Sequence, residues 1–105
     1  MALLENIKTP ADIKKFSVKE LELLAKEIRA LIIETVTKNG GHLSPNLGMV
    51  ETTLALYYVF DFPCDKLLFD VGHQSYTHKI INEGAEKFAT LRTNGGISGF
   101  PDPTE

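Results

Sequence analysis

The sequence is poor in cysteine and carries no excess of positive charge. Its 105 residues contain one cysteine and no tryptophan, and 11 Lys and Arg stand against 14 Asp and Glu, which gives a formal net charge of −3. The single cysteine, Cys64, excludes an intramolecular disulfide. The acidic balance excludes the basic surface that is typical of nucleic-acid-binding domains. Hydrophobic residues make up 43% of the chain, as expected for one soluble domain or a piece of one.

Signals for membrane insertion and for export are also missing. No apolar run approaches the ~20 residues that a membrane-spanning helix needs, because Glu27, Glu34 and Asp61 interrupt the longest candidates. The N-terminal residues MALLEN lack the basic start and the long apolar run of a secretory signal. These absences predict a cytoplasmic protein with no nucleic acid and no membrane among its partners.

Helix signals fill the first part of the chain. Thr9 followed by Pro10 predicts a short entry helix, because threonine can cap a helix and proline fits its first position. Ser17 and Glu20 have the spacing of a capping box, and apolar residues then recur at three- and four-residue steps. This pattern predicts a helix over residues 17–38, which a glycine pair ends.

The later segments predict a mixed fold. Residues 44–60 begin with Ser44 as a possible cap and are apolar on all sides, which predicts a buried helix. Residues 66–71 predict a short buried strand. Short helices are predicted at 76–82 and 85–91, and a loop at 93–101. The order of helix and strand predicts an α/β class, and because one strand cannot form a sheet, the chain is expected to be the N-terminal piece of a larger domain.

Two turns each carry a histidine. His42 precedes the predicted buried helix, and His73 follows the predicted strand. Such ends of elements bind ligands in α/β proteins, because free backbone amides and a favourable helix field face them. A histidine there can hydrogen-bond a phosphate or transfer a proton near neutral pH. A single histidine beside a glycine is more often a capping or buried residue, so each turn alone leaves both interpretations open.

Generic cofactor and metal motifs are absent. The sequence contains no GxGxxG, GxxxxGK[ST], HExxH or CxxC pattern. The step from His73 to His78 suits two metal ligands on one helix face poorly. No metal site is predicted in this chain.

Three segments nevertheless form an ordered series. They are GGHLSPNLGMVE at residues 40–51, FDVGHQSYTHKI at 69–80 and GGISGFP at 95–101. The series resembles the GGHL..NLG.VE, WDVGHQ.Y.HKI and GG.SGFP segments of the 1-deoxy-D-xylulose-5-phosphate synthase family, thiamine-diphosphate enzymes of the transketolase superfamily. The resemblance covers essentially the whole chain. Phe69 replaces the usual tryptophan and Tyr57 the common histidine, and both are predicted to be packing positions.

The resemblance implies a fold and a reaction. It implies an α/β fold in which residues 1–105 are the N-terminal segment of a doubly wound, transketolase-like domain that binds thiamine diphosphate, with no second domain present. The family condenses pyruvate with D-glyceraldehyde 3-phosphate and releases carbon dioxide, a step that leads to isoprenoid precursors, thiamine and pyridoxal. The complete protein would be a transferase and a homodimer, and the rest of the synthase chain would be the partner of this segment.

The resemblance also implies roles for individual residues. His73 matches the family histidine that contacts thiamine diphosphate, and His42 matches a second active-site histidine placed to exchange protons, so both are predicted to be catalytic. Ser44 is a candidate cofactor-binding residue, and Asn46 is a candidate turn or pocket residue. Candidates for binding the substrate phosphate, with a surface position as the alternative for the lysine, are Tyr76, His78 and Lys79.

Parts of the family's site are missing from the sequence. No Gly-Asp-Gly occurs, so the ligands of the Mg²⁺ that holds the diphosphate are expected outside this chain. The family takes its activating glutamate from another domain, and Glu51 is predicted to be a buried or interfacial hydrogen-bond partner instead. The isolated chain is therefore expected to be inactive. The alternatives are a subunit of a split thiamine enzyme and a non-catalytic binding or interaction module derived from the family.

Overall fold

The computed structural model describes residues 3–62, 64–69 and 72–102. These residues form helices and no strand. Two short 3-10 helices come first, at Leu4–Asn6 and Pro10–Lys15, and five α-helices follow: α1 (Val18–Asn39), α2 (Ser44–Leu47), α3 (Val50–Val59), α4 (Tyr76–Glu83) and α5 (Ala85–Phe88). Within the described ranges, none of the helices is both long and apolar enough to cross a lipid bilayer.

Helix α1 confirms the prediction for residues 17–38. The Ser17 hydroxyl accepts a hydrogen bond from the Glu20 N–H at 3.1 Å, and the Glu20 carboxylate accepts one from the Ser17 N–H at 2.9 Å. The helix ends at Gly40, where φ is +84°, a backbone conformation that favours glycine. One face of the helix is buried and forms the centre of the core: Leu24, Ala25, Ile28, Leu31, Ile32 and Thr35.

The predicted entry helix is also confirmed, as the 3-10 helix Pro10–Lys15. Its Lys14 reaches the end of α3, where the ammonium donates to the carbonyl oxygens of Tyr57 at 3.0 Å, Tyr58 at 3.0 Å and Phe60 at 2.7 Å. The last carbonyl groups of a helix have no partners inside the helix. A cation here satisfies them and interacts favourably with the helix dipole.

The single helix predicted over 44–60 is wrong, because the chain forms α2 and α3 with a break between them. The break lies at Gly48, and glycine costs about 1 kcal/mol relative to alanine inside a helix. The Ser44 cap is wrong as well: Leu43 precedes α2, and no side chain caps that helix. The Asn46 side chain within α2 bonds to the backbone of three other residues.

The prediction that the helix is buried on all sides is wrong for α3. Tyr57 is only 1% exposed, whereas Val59 is 69% exposed and Tyr58 is 46% exposed. A helix that is apolar all round needs neighbours on several sides, and among the described elements the main neighbours of α3 are the Pro10–Lys15 helix, α1 and α4. The packing position predicted for Tyr57 is confirmed.

The strand predicted over 66–71 is wrong for residues 66–69, which form neither strand nor helix, and residues 70 and 71 lie outside the described residues. The α/β class is therefore not confirmed. The physical reason is that a strand is stabilised by hydrogen bonds to a neighbouring strand, and the described residues supply none. A local run of apolar residues cannot create that neighbour.

Helix α4 confirms the helix predicted at 76–82, and α5 is shorter than the predicted 85–91. After α5 the chain continues in tight turns, in which the Leu91 N–H bonds to the Phe88 carbonyl at 2.9 Å. Phe88 and Leu91 are both fully buried. The apolar side chains of this segment thus enter the core although the helix has ended.

An ion pair joins α1 to α3 on the surface. Both guanidinium ends of Arg29 donate to the carboxylate of Glu51, and one of them also donates to the Leu47 carbonyl at 3.2 Å. The hydrogen bonds from Arg29 lower the pKa of Glu51. Glu51 is thus a hydrogen-bond partner as predicted. Of the two predicted environments the buried one is wrong, since its side chain is 63% exposed, and the interfacial one stays a prediction.

Candidate functional site

The turn that carries His42 depends on a glycine. At Gly41 φ is +132°, and a Cβ there would lie 2.6 Å from the Tyr76 hydroxyl oxygen. The absence of a side chain lets Tyr76 approach, and its hydroxyl accepts a hydrogen bond from the His42 N–H at 3.2 Å. Tyr76 itself is fully buried and packs edge-on against Phe88, with 5.7 Å between ring centroids. The core therefore supports the backbone of His42.

The rings of His42 and His73 lie together. Their centroids are 3.9 Å apart and their planes are inclined by 34°. The Phe100 ring lies on His73 at 5.7 Å, and Phe100 is 57% exposed. The Nδ1 atom of His73 is buried and has no hydrogen-bond partner among the described residues. The site thus combines an exposed histidine, His42, with a half-buried one that has an unused polar atom.

Asn46 joins the two histidine turns. Its side-chain nitrogen donates to the carbonyl oxygens of His42 at 2.7 Å and His73 at 2.6 Å. Its side-chain oxygen accepts from the Tyr76 N–H at 2.8 Å. Asn46 is 0% exposed, so these bonds replace all contact of the amide with water. The sequence predicts Asn46 only as a turn or pocket residue, because two of its three partners are remote in the chain.

The other predicted site residues occupy different environments. Ser44 is exposed and lies two residues after His42, at the start of α2. The surface alternative for Lys79 is wrong, since Lys79 is 2% exposed. Lys79 lines a cavity of about 400 Å³ together with Ser75 and His78, and neither His42 nor His73 belongs to that lining. The binding roles of Ser44, Tyr76, His78 and Lys79 stay predictions.

A hydrogen-bonded cluster surrounds His78. Asn82 donates to the Tyr57 hydroxyl oxygen, and the Tyr57 hydroxyl bonds to Nδ1 of His78. Asn82 also donates to the His78 carbonyl at 2.9 Å. Burial raises the pKa of Tyr57 to about 12, so its hydroxyl keeps its proton at neutral pH. In the tautomer of His78 that carries its proton on Nε2, Nδ1 accepts the bond from this hydroxyl.

His78 makes stability sensitive to acid. Burial and, secondarily, the charge of Lys79 lower the pKa of His78 below 6.5. On acidification, His78 therefore takes up a proton at a higher pH in the unfolded chain than in the folded chain. The contribution of neutral His78 to the free energy of unfolding is present above pH 6.5 and is lost as the pH falls below it. Denaturant titrations at about pH 7.5 and about pH 5.5 measure the loss.

The matched variants for this prediction are His78→Asn and His42→Asn. We expect His78→Asn to be less stable at neutral pH but to lose less on acidification than the wild type does. His42→Asn leaves the bonds among Tyr57, His78 and Asn82 in place, so this variant is expected to keep the acid loss that His78 contributes. An unchanged acid loss in His78→Asn would contradict this account.

Two residues near the site, Arg92 and Asn82, are not among the residues predicted from the sequence. Arg92 has a φ of +61°, and a Cβ at Gly40 would lie 3.1 Å from its Nη1 atom. The guanidinium therefore lies beside the turn that leads to His42. Asn82 is four residues from His78 on α4, a spacing that places the two side chains on one helix face. That spacing could have revealed Asn82, whereas the position of Arg92 becomes visible only in three dimensions.

The residues present fit part of the implied cofactor. The buried, unpartnered Nδ1 atom of His73 suits a hydrogen bond to thiamine diphosphate or to a bound intermediate. In contrast, the described residues include no group of three His, Cys, Asp or Glu side chains that could hold a metal ion.

Comparison with known proteins gives consistent matches over the whole chain. The family model for 1-deoxy-D-xylulose-5-phosphate synthase matches residues 4–105. The enzyme of that name from Dictyoglomus turgidum is 59% identical over 103 residues, which are 98% of this chain and 17% of the relative. The namesakes from Syntrophotalea carbinolica and Cutibacterium acnes are 54% and 53% identical over 105 residues, all of this chain and again 17% of each relative.

Proposed function

The chain belongs to the 1-deoxy-D-xylulose-5-phosphate synthase family, and from this membership we propose that it supplies one wall of the synthase active site. The chain spans 17% of the length of the curated relatives given above. The activity is therefore proposed for the full-length enzyme, which would condense pyruvate with D-glyceraldehyde 3-phosphate and release carbon dioxide. The observation that carries the proposal is the contact between the His42 and His73 rings, at 3.9 Å.

His73 is the proposed contact to thiamine diphosphate. When bound, this cofactor supplies the carbanion chemistry, and the protein contributes binding, orientation and electrostatics. The Nδ1 atom of His73 is buried without a partner among the described residues, and hydrogen bonds are strongest where water is excluded. His73 can therefore orient the cofactor and stabilise charge that develops beside it.

His42 is the proposed proton carrier. It is exposed, so it can reach a substrate hydroxyl or carbonyl oxygen, and histidine exchanges protons near neutral pH. Ser44 follows His42 closely and is the proposed polar neighbour of the cofactor. The proposed contacts to the phosphate of the second substrate are Tyr76, His78 and Lys79, of which His78 and Lys79 line one cavity.

The remaining parts of the proposal concern the whole enzyme. We propose that the Mg²⁺ ligands lie outside this chain. The full-length protein is proposed to be a cytoplasmic homodimer in the synthesis of isoprenoid precursors, thiamine and pyridoxal. The family membership supports these statements.

A steady-state assay tests the proposed function. The reaction contains pyruvate, D-glyceraldehyde 3-phosphate, thiamine diphosphate and Mg²⁺, and the product 1-deoxy-D-xylulose 5-phosphate is measured. We expect turnover from the full-length protein that contains this chain, dependent on added thiamine diphosphate, and none from the 105-residue chain alone. Absence of turnover from the full-length protein would overturn the proposed function. Full activity of the isolated chain would overturn the proposal that the chain supplies only one wall of the site.

A further inference from the structure

The two histidine turns are held together through one buried side chain. Asn46 donates to the His42 carbonyl at 2.7 Å and to the His73 carbonyl at 2.6 Å, and it accepts from the Tyr76 N–H at 2.8 Å. Two of these partners are 27 and 30 residues away in sequence. A longer hydrogen bond also joins the turns, from the His42 N–H to the Tyr76 hydroxyl oxygen at 3.2 Å.

The chemistry of this position matches the side-chain amide of asparagine. Two of the partners are carbonyl oxygens, which only accept, and the third is an N–H, which only donates. An asparagine amide has two donors on its nitrogen and an acceptor on its oxygen, so it satisfies all three. An ionised aspartate has no donor for the carbonyl oxygens, and serine has one O–H for two of them.

The amide acts on the histidines themselves and not on distant parts of their turns. Both donated bonds end on the carbonyl oxygens of His42 and His73, so their lengths set the separation of the backbone positions from which the two rings project. The rings are in contact, with centroids 3.9 Å apart. A shift of either backbone would change that separation directly.

We propose that Asn46 is a positioning residue that sets the separation of the His42 and His73 rings. Because Asn46 is 0% exposed, it acts through its bonds to the two histidines and not through direct contact with a ligand. The consequence for turnover rests on the proposed function, because it requires that the histidines take part in the reaction. The consequence for the ring separation is independent of the reaction, and the two can be measured separately.

The test uses the enzyme at its full native length with the variants Asn46→Ser and Asn46→Asp. Because a misplacement of catalytic groups by about 1 Å can cost about 100-fold in rate, we expect kcat to fall by about 10- to 100-fold. The KM for pyruvate is expected to change by less than about threefold, since the binding contacts are retained. In crystal structures of the variants, the ring separation is expected to grow by about 1 Å.

Asn39 provides the matched control. Its side-chain nitrogen also donates to two backbone carbonyl oxygens, those of Ala89 and Leu91, each at 2.9 Å. These bonds tie the end of α1 to the turns after α5 and end on no histidine. Asn39→Ser thus removes a similar pair of hydrogen bonds, at a position only three residues before His42. We expect it to lower thermal stability while kcat stays within about twofold of the wild type.

The outcomes separate positioning from general stabilisation. A kcat loss confined to the Asn46 variants, together with a wider ring separation, supports the proposal. Three results would overturn it: folded Asn46 variants with the wild-type ring separation, equal kcat losses in the Asn39 and Asn46 variants, or failure of both Asn46 variants to fold, which would make the residue a determinant of the fold. If the wild-type enzyme lacks synthase activity, the proposed function fails and the ring separation alone decides this proposal.

Discussion

Replacement of His73 by alanine is expected to weaken binding of thiamine diphosphate to the full-length enzyme by about 10- to 100-fold and to lower kcat by about 100-fold or more. The buried Nδ1 atom of His73 has no partner among the described residues, so a ligand bond there would form where little water competes. The variant also removes the ring that His42 contacts at 3.9 Å. Calorimetric titration with the cofactor and steady-state rates at saturating cofactor measure the two effects.

Two conservative variants identify the atom that acts. The side-chain amide of an asparagine at position 73 lies near the place of Nδ1, whereas that of a glutamine lies near Nε2. If Nδ1 makes the cofactor bond, His73→Asn is expected to retain more cofactor affinity than His73→Gln. His73→Ala with wild-type affinity and turnover would refute the role of this histidine, and it would also remove the main support for the proposed function.

Replacement of Gly72 by alanine is expected to lower the free energy of unfolding by about 2–6 kcal/mol, the sum of backbone strain and overpacking. At Gly72 φ is +92°, and a Cβ would lie 2.0 Å from Cγ and 2.2 Å from Cδ of Pro101. To relieve this overlap, the backbone at position 72 or the segment that contains Pro101 must move, and the neighbouring Phe100 ring lies on His73. Urea denaturation measures the free energy of unfolding. Because the chain has no tryptophan, unfolding is followed by circular dichroism and not by tryptophan fluorescence.

Gly84→Ala is the matched control for Gly72→Ala. Its φ of +91° equals that of Gly72 within a degree, but nothing lies within 4 Å of the position of a Cβ. This variant therefore carries the backbone strain alone, about 1–3 kcal/mol. The difference between the two variants isolates the contact with Pro101. Equal losses of stability would mean that the Pro101 segment moves aside freely.

The helices were predictable where their ends are encoded locally. Helix α1 begins after Ser17 and ends before Gly40, and both signals lie within a few residues of the boundary. The segment 66–71 has no such signal. Its apolar composition suits a strand, but a strand depends on a partner that is remote in the chain, and residues 66–69 form none. Local pattern can identify a capped helix and cannot by itself establish a sheet.

The sequence predicted which residues belong to the candidate site better than it predicted their arrangement. The family motifs predict that His42 and His73 serve one site, and the structure brings their rings into contact. The burial of Lys79 and the role of Asn46 were not predictable, because both depend on side chains that meet only after folding. Roles in binding cofactor or substrate stay predictions, since they concern molecules and chain segments beyond the described residues.

The contact of Lys14 with α3 has a consequence for the order of events during protein synthesis. The carbonyl oxygens that its ammonium binds belong to residues 43 to 46 positions later in the chain. A ribosome that adds about 5–20 residues per second needs roughly 2–9 seconds to reach the last of them. Helices form in about a microsecond. The timing of this cap is therefore set by translation, and the ammonium of Lys14 lacks these partners until α3 has been made.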